Sequence, residues 1–331
     1  MEHTLHVGHG STFGAVTLFP VWTDAPGLNG FDWSGTALRV AEREGAPVVS
    51  ELVVQNTGAR PVVLLEGDLL TGGWQDRMVG ASTILGRGDG RVVEVVCVEH
   101  GRWGGEQAHG AQGRRGAASV RYGLDRARHP EQSSDGRGGE NRGEQRDEQG
   151  EPAQHQVWQR IGRFESELGG TKSSSVLDHL SRAPKVDVRR LPGQRGVVVG
   201  IGGVVAWGEL FGSTAGLASR WNGLLNAAML DAQLASAVKT PASAARHFVS
   251  GWAAMPEMDT EALAAIEAAA LDSLDVDPVP LEHGGDTHGP TPIVSRRGKL
   301  SLSGIRHRDR LVHATVFNTA HPQMEHAEGH A

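Results

Sequence analysis

Between Leu64 and Trp103, two polar clusters interrupt β-like apolar runs. One is Glu66-Gly67-Asp68 with Gln75-Asp76-Arg77, and the other is Glu99-His100-Gly101-Arg102-Trp103. Glu66 and Asp68 are a carboxylate pair suited to acid–base or cation work, although Gly67-Asp68 is equally turn chemistry. The run Gly72-Gly73-Trp74-Gln75-Asp76-Arg77 adds a flexible backbone, an aromatic wall, an amide and a guanidinium. Arginine suits bidentate recognition of carboxylate or phosphate, yet Arg77 paired with Asp76 or Glu99 would serve only to hold strands together. The second cluster supplies a base in Glu99, a proton shuttle in His100 and a second anion-binding group in Arg102. Converging, these groups give one site, with Glu99 and Asp68 as catalytic candidates. Trp74, Gln75, Arg77, Arg102 and Trp103 are the ligand-binding candidates.

Other residue patterns carry less. The single cysteine, Cys97, is flanked by valines and reads as a small buried hydrophobe; it excludes an intramolecular disulfide and a cysteine zinc cage. The sixteen histidines include no H-E-x-x-H pair; His283, His288, His307 and His313 read as loop and surface residues, and no metal site is expected. Gly200-Ile201-Gly202-Gly203 lacks the full phosphate-loop spacing and leads into a strand. No cofactor is named by the sequence.

The elements that must position these groups follow from periodicity. Val16–Trp22 is a strand. Thr36–Arg43 is expected as a short helix capped by Ser34. Val48–Asn56 with Arg60–Glu66, and Met78–Leu85 with Arg91–Val98, read as hairpins. In the last of these strands Val93, Val95, Cys97 and Glu99 share one face, so a carboxylate ends an apolar row and needs a partner or a cleft. Gln75 and Arg77, two apart, point the same way on an extended backbone. Further helices are expected over Gln156–Leu168, Ser173–Leu180, Thr214–Ala237 with Ser213 as its cap, Ala242–Trp252 and Thr260–Leu274. Hairpins are expected across Gly202-Gly203 and over Leu300–Ile305 with Leu311–Phe317. The fold class is α+β: a mostly antiparallel sheet in the N-terminal half, helices concentrated in the C-terminal half, and closing β-hairpins.

Residues 13–318 are expected to form one α+β domain. From Gly104 to His155 the composition is Gly, Arg, Glu, Gln and Asp, too poor in apolar surface to offset its ordering entropy, and a disordered insertion is expected there. The patch Ala118–Tyr122 is the exception that docks back. Residues 1–12 are expected to fray and 319–331 to form a loose tail. A length of 331 residues is enough to bury a sizeable core. A net charge of −7 argues against nucleic acid as a partner. No run reaches the length of a membrane helix, and no signal peptide is read at Met1–Gly10. These features lead to an expectation of a cytoplasmic chain with a small-molecule ligand.

The residues Leu65–Arg77, followed by Val96-Cys97-Val98-Glu99-His100-Gly101-Arg102-Trp103, resemble the bacterial ARG and rhodanese-phosphatase-superfamily-associated protein domain family. That family shows Gly-Glu-Glu-Leu-x-Gly-x-x-Gln-Asn-Arg and then Val-Ser-Cys-Val-Glu-x-Gly-Arg-Trp. Gln156-Val157-Trp158, Gly203–Phe211 and Val312-His313 extend the likeness over most of residues 13–318. Gln75, Arg77, Glu99, Arg102 and Gln156 match position by position. Asp68 stands where the family has Glu, Leu69 replaces a second acid, Asp76 replaces Asn, and His100 occupies a place that is commonly Gln. The family's name associates it with ADP-ribosylglycohydrolase-like and phosphatase-like proteins, which implies an ADP-ribose, NAD-derived or other phosphorylated nucleotide ligand. Three readings stand: a hydrolase-like enzyme, a non-catalytic sensor or accessory protein, and an Arg/Glu network with a purely structural role.

Overall fold

The computed structural model describes residues 4–43, 48–102, 104, 108–128, 152–255 and 289–325. In chain order the strands before the first helix are β1 (Leu5–Val7), β2 (Ser11–Phe13), β3 (Val16–Thr23), β4 (Leu38–Ala41), β5 (Glu51–Asn56), β6 (Val62–Leu64), β7 (Asp68–Gly72), β8 (Arg77–Val79), β9 (Thr83–Leu85), β10 (Gly90–Cys97) and β11 (Ala108–Arg115). Three helices follow, α1 (Ala118–Arg128), α2 (Pro152–Leu168) and α3 (Val176–Arg182). Then come β12 (Gly196–Ile201), β13 (Val204–Phe211), α4 (Thr214–Ala232), α5 (Ala242–Ala253), β14 (Thr291–Arg297), β15 (Leu300–His307) and β16 (Arg310–Asn318).

The strands build two bodies of antiparallel sheet. A large sheet runs β1-β3-β12-β13-β16-β15-β14, with β2 also on β3. A closed barrel runs β10-β5-β4-β11-β7-β8, and β8 returns to β10. The pair β6–β9 forms a separate ribbon. The fold is therefore α+β and mostly antiparallel, with helices weighted to the C-terminal half. Among the described residues no helix is long and apolar enough to cross a membrane.

Alternation explains the barrel. In β5, Leu52, Val54 and Asn56 face inward while Val53 and Gln55 face out. Val40, Leu70, Val79, Val93 and Val95 complete the barrel core. Asn56 is buried because its amide closes the neighbouring turns, with Nδ2 donating to the carbonyls of Arg60, Leu85 and Gly86 and Oδ1 accepting from Gly58 N–H. The helix α4 lies between barrel and sheet. Its N-cap Ser213 accepts from Gly216 N–H at 3.0 Å, and Leu217, Trp221, Leu224, Leu225 and Ala228 bury against the sheet. Its approach to β11 depends on glycine: a Cβ on Gly223 would collide with the backbone of Gly113, and one on Gly113, at φ 64°, would collide with Ser219.

Several sequence expectations meet a different outcome. Thr36–Arg43 holds no helix; Leu38–Ala41 pairs with β5 instead, because Val40 belongs inside the barrel. The hairpin joining Val48–Asn56 to Arg60–Glu66 does not form, since β5 pairs with β4 and β10 and β6 pairs with β9. Residues 5–7 and 11–12, expected to fray, belong to strands that extend the large sheet through β3. Within the expected disordered insertion the patch Ala118–Tyr122 docks back as anticipated, but order extends to either side of it: β11 closes the barrel and α1 buries Ala118–Asp125. Composition misled there because α1 is stabilised by buried ion pairs and by packing against α2, which a count of large apolar residues does not register. Residues 129–151, like the helix expected over Thr260–Leu274, lie outside the described residues. The start of the expected loose tail packs too: Met324 and His321 are buried, and Arg160 Nη2 donates to the Met324 carbonyl at 3.0 Å. The Gly202-Gly203 hairpin and the closing β15–β16 hairpin form as the sequence anticipates.

Candidate functional site

The turn between β7 and β8 makes the barrel's polar mouth. Gly72 and Gly73 take φ of 102° and 59°, and the Asp76 carboxylate accepts from Gly72 N–H at 2.8 Å, which closes the turn. Just past β10, Glu99 is drawn into it. Its carboxylate accepts from Arg102 Nε at 2.9 Å, from Arg102 Nη2 at 2.7 Å and from Asp76 N–H at 3.0 Å. Arg102 Nη1 donates to the Gly73 carbonyl at 2.8 Å. Gln75 donates to the Glu99 carbonyl at 3.1 Å and accepts from Arg77 Nη1 at 2.9 Å. The Cys97 thiol donates to the Glu99 carbonyl at 2.8 Å. Gln75, Arg77, Glu99 and Arg102 therefore come together, as do Asp76 and Cys97.

The electrostatics follow from this packing. Burial alone would raise the Glu99 carboxyl, but Arg102 and the Asp76 amide outweigh it and hold the group below the usual carboxylate range. Asp76 is pushed the other way, by burial and by the neighbouring charge of Glu99. Burial also pushes the Cys97 thiol up, so it is a poor nucleophile at neutral pH. Of the charged groups here the Arg102 side chain is the most open, 35% exposed against 5% for Glu99 and 13% for Asp76.

Trp74 sits half-buried in the same turn, its backbone N–H donating to the Glu42 carboxylate at 3.3 Å. Glu42 also pairs with His109 Nε2 at 3.1 Å, beneath Gly73. Burial pushes His109 down, which keeps the imidazole neutral near pH 7 against the pull of Glu42. Trp103 lies outside the described residues. His100 is exposed and meets the Trp158 ring edge-on at 5.1 Å.

Asp68 belongs elsewhere, contrary to the expectation of one shared site. It opens β7 while Gly72 closes it, so the two groups stand roughly 13 Å apart at ~3.3 Å per residue. There Asp68 accepts from Arg220 Nη2 at 2.8 Å, Arg115 Nη1 at 3.1 Å and Leu65 N–H at 3.0 Å. Arg115 reaches on to Glu209 at 3.1 Å, and Glu209 also takes Arg121 Nη1 at 2.6 Å and His313 Nε2 at 3.0 Å. Burial opposes ionisation of Asp68, but Arg220 and Arg115 hold it below its ordinary value. Its neighbour Glu66 pairs with Arg128 at 2.5 Å. This inner network joins the barrel, α1, α4 and the large sheet, and its Asp68, Arg115, Arg121, Glu209, Arg220 and His313 side chains are buried.

Sequence reading missed most of that network. Glu209 and His313 each stand alone in apolar strands, a signal that could have been used, and His313, expected as a loop or surface histidine, is buried on β16; Arg115 lay inside the segment its composition marked as disordered, and Arg121 in the patch expected to dock back. Gln156, carried over from the family likeness, is half-buried on α2. The residue that grips the site is Gln154, which accepts from Cys97 N–H at 2.7 Å and donates to the Cys97 carbonyl at 2.8 Å. Among the described residues no group of three or more His, Cys, Asp or Glu side chains is arranged to hold a metal ion.

A closed six-stranded barrel docked on an eight-stranded antiparallel sheet, with arginine–carboxylate clusters at its mouth and at its base, defines an α+β protein. The chain belongs to the ARPP-1 family, described as the ARG and Rhodanese-Phosphatase-superfamily-associated Protein domain, whose sequence profile matches residues 4–317. Comparison with curated proteins and with solved structures found no match.

Proposed function

We propose that the barrel mouth recognises an anionic ligand of the phosphorylated-nucleotide class, ADP-ribose or NAD-derived, without turning it over. The observation carrying this is the state of Glu99. Both its oxygens are taken by Arg102 and by the Asp76 amide, and its carboxyl is held below the ordinary range, which makes it a weak base. Asp68, the other acid–base candidate, is locked between two arginines. Arg102 and Trp74 are the half-exposed groups, an indole for a base or sugar face and a guanidinium that a phosphate would reach by displacing its bonds to Glu99 and the turn carbonyls. The ligand class itself rests on the family's association with ADP-ribosylglycohydrolase-like and phosphatase-like proteins.

The test is thermal unfolding against ADP-ribose, NAD, AMP and inorganic phosphate, with product analysis of the same mixtures with and without Mg²⁺ or Mn²⁺. Ligand at ~100 times its dissociation constant should add roughly 2.7 kcal/mol, Arg102→Ala should abolish that gain, and no product should form. Product formation that depends on Glu99 would instead assign hydrolysis. No stabilisation by any nucleotide would leave the saturated Glu99–Arg102–Asp76 cluster as a device that only holds the turn to the barrel.

A further inference from the structure

A cavity of mixed lining opens at one end of the large sheet, formed by residues other than those of the barrel mouth. Leu5, Thr23, Ala25, Pro26, Leu210 and Leu311 line it with Arg195, Arg306, Asp309 and Arg310, around a volume of about 90 Å³. That is room for a group of phosphate size.

Arg195 is the unusual member. It is only 7% exposed, and its hydrogen bonds run to backbone: Nε to the Phe211 carbonyl at 3.1 Å and Nη1 to the Ala25 carbonyl at 2.5 Å. Among the described residues no carboxylate pairs with the guanidinium. The nearby charge acting on it is Arg310, itself anchored through Nη2 to the carbonyls of Pro26 at 2.8 Å and Gly27 at 2.9 Å. Burial and that like charge both push Arg195 down. A buried cation held by carbonyl dipoles and facing a second cation calls for a counter-charge from outside the chain. The turn beside it is also costly: Arg308 and Asp309 take φ of 49° and 60° where a two-residue hairpin favours Asn-Gly. Strain of this kind persists where the surrounding structure enforces it, often at binding sites.

We propose that this cavity is an oxyanion site, seating a phosphate or carboxylate group between Arg195 and Arg310, with Leu210 and Leu311 forming the wall beside it. Asp309 at the rim opposes the anion, which makes the site a weak, exchangeable one. It stands independently of the nucleotide reading of the barrel mouth.

The test is titration of the full chain with inorganic phosphate and, separately, acetate, at constant ionic strength made up with chloride, read by melting temperature. At least one anion should give a saturable rise above the chloride control. Asp309→Asn removes the opposing charge and keeps a side chain that tolerates positive φ, so it should tighten binding by at least threefold. Arg310→Gln should weaken it by at least tenfold. Ala25→Leu, which fills the cavity and spares both arginines, should abolish it, while Arg102→Ala at the barrel mouth should leave the Asp309→Asn gain in place. A response to phosphate alone or to acetate alone supports the site and names its chemistry. No saturable rise with either, or a rise that Ala25→Leu and Asp309→Asn leave unchanged, overturns the proposal.

Discussion

Replacing Glu209 by glutamine tests the energetic logic of the inner network most directly. Glu209 is fully buried on β13 and takes Arg115, Arg121 and His313 from three other elements. Arg115 would retain Asp68 at 3.1 Å. Arg121 would be left with the Gly116 carbonyl at 3.1 Å and the faces of Trp207 and Phe317 at 5.4 and 5.8 Å, a poor substitute for a carboxylate. Stranding a buried charge in this way costs about 3–5 kcal/mol. At a urea m-value of about 3 kcal/mol/M the midpoint should fall by about 1 to 1.7 M. The half-exposed Arg43–Glu51 pair is the control: Glu51→Gln should cost under about 1 kcal/mol. Adding Arg121→Met to Glu209→Gln removes the stranded cation and should recover at least half of the loss. The sign with pH is also set. Burial opposes the Glu209 charge, but Arg115 and Arg121 hold its carboxyl well below 4.5, so its contribution is full above that value and disappears as pH falls through the folded value. A Glu209→Gln cost no larger than the surface control, or a double variant that loses stability additively, would refute the reasoning.

Asp231 should behave in the opposite sense. Burial pushes its carboxyl from 3.8 up to about 6, against hydrogen bonds from Ser119 and the Ala118 amide at the start of α1. The folded state then holds the proton more tightly, and stability should rise as pH drops from 7 towards 4, by up to about 3 kcal/mol; Asp231→Asn should flatten that slope in urea unfolding across the same window. Gly73→Ala places a side chain at φ 59° against the His109 ring, and should cost more than about 2 kcal/mol in the same assay. Gln154→Ala unpairs both backbone groups of Cys97 and should cost about 1–2 kcal/mol, whereas Gln156→Ala should stay within about 0.5 kcal/mol; equal effects would show that the Gln154 bridge carries nothing.

Local pattern was enough for elements whose stability is local. The helix α4 announces itself through Ser213 and the row Leu217, Trp221, Leu224, Leu225, because cap and stripe lie in one segment. Two adjacent glycines between apolar runs likewise declare the hairpin of β12 and β13, since only that turn needs their positive φ. The mouth cluster was legible for the same reason: Gln75, Arg77, Glu99 and Arg102 sit at strand ends that pair directly. Strand partnership was not legible. Leu38–Ala41 becomes a strand only because closing the barrel gives Val40 an interior, and neighbours in sequence such as β5 and β6 part company for distant partners. Nor could sequence separate Asp68 from Glu99, or choose Gln154 over Gln156. The destination of a charged side chain depends on which cation lies across the packed interface, and Arg115, Arg121 and Arg220 reach Asp68 and Glu209 only after barrel, sheet and α4 have docked.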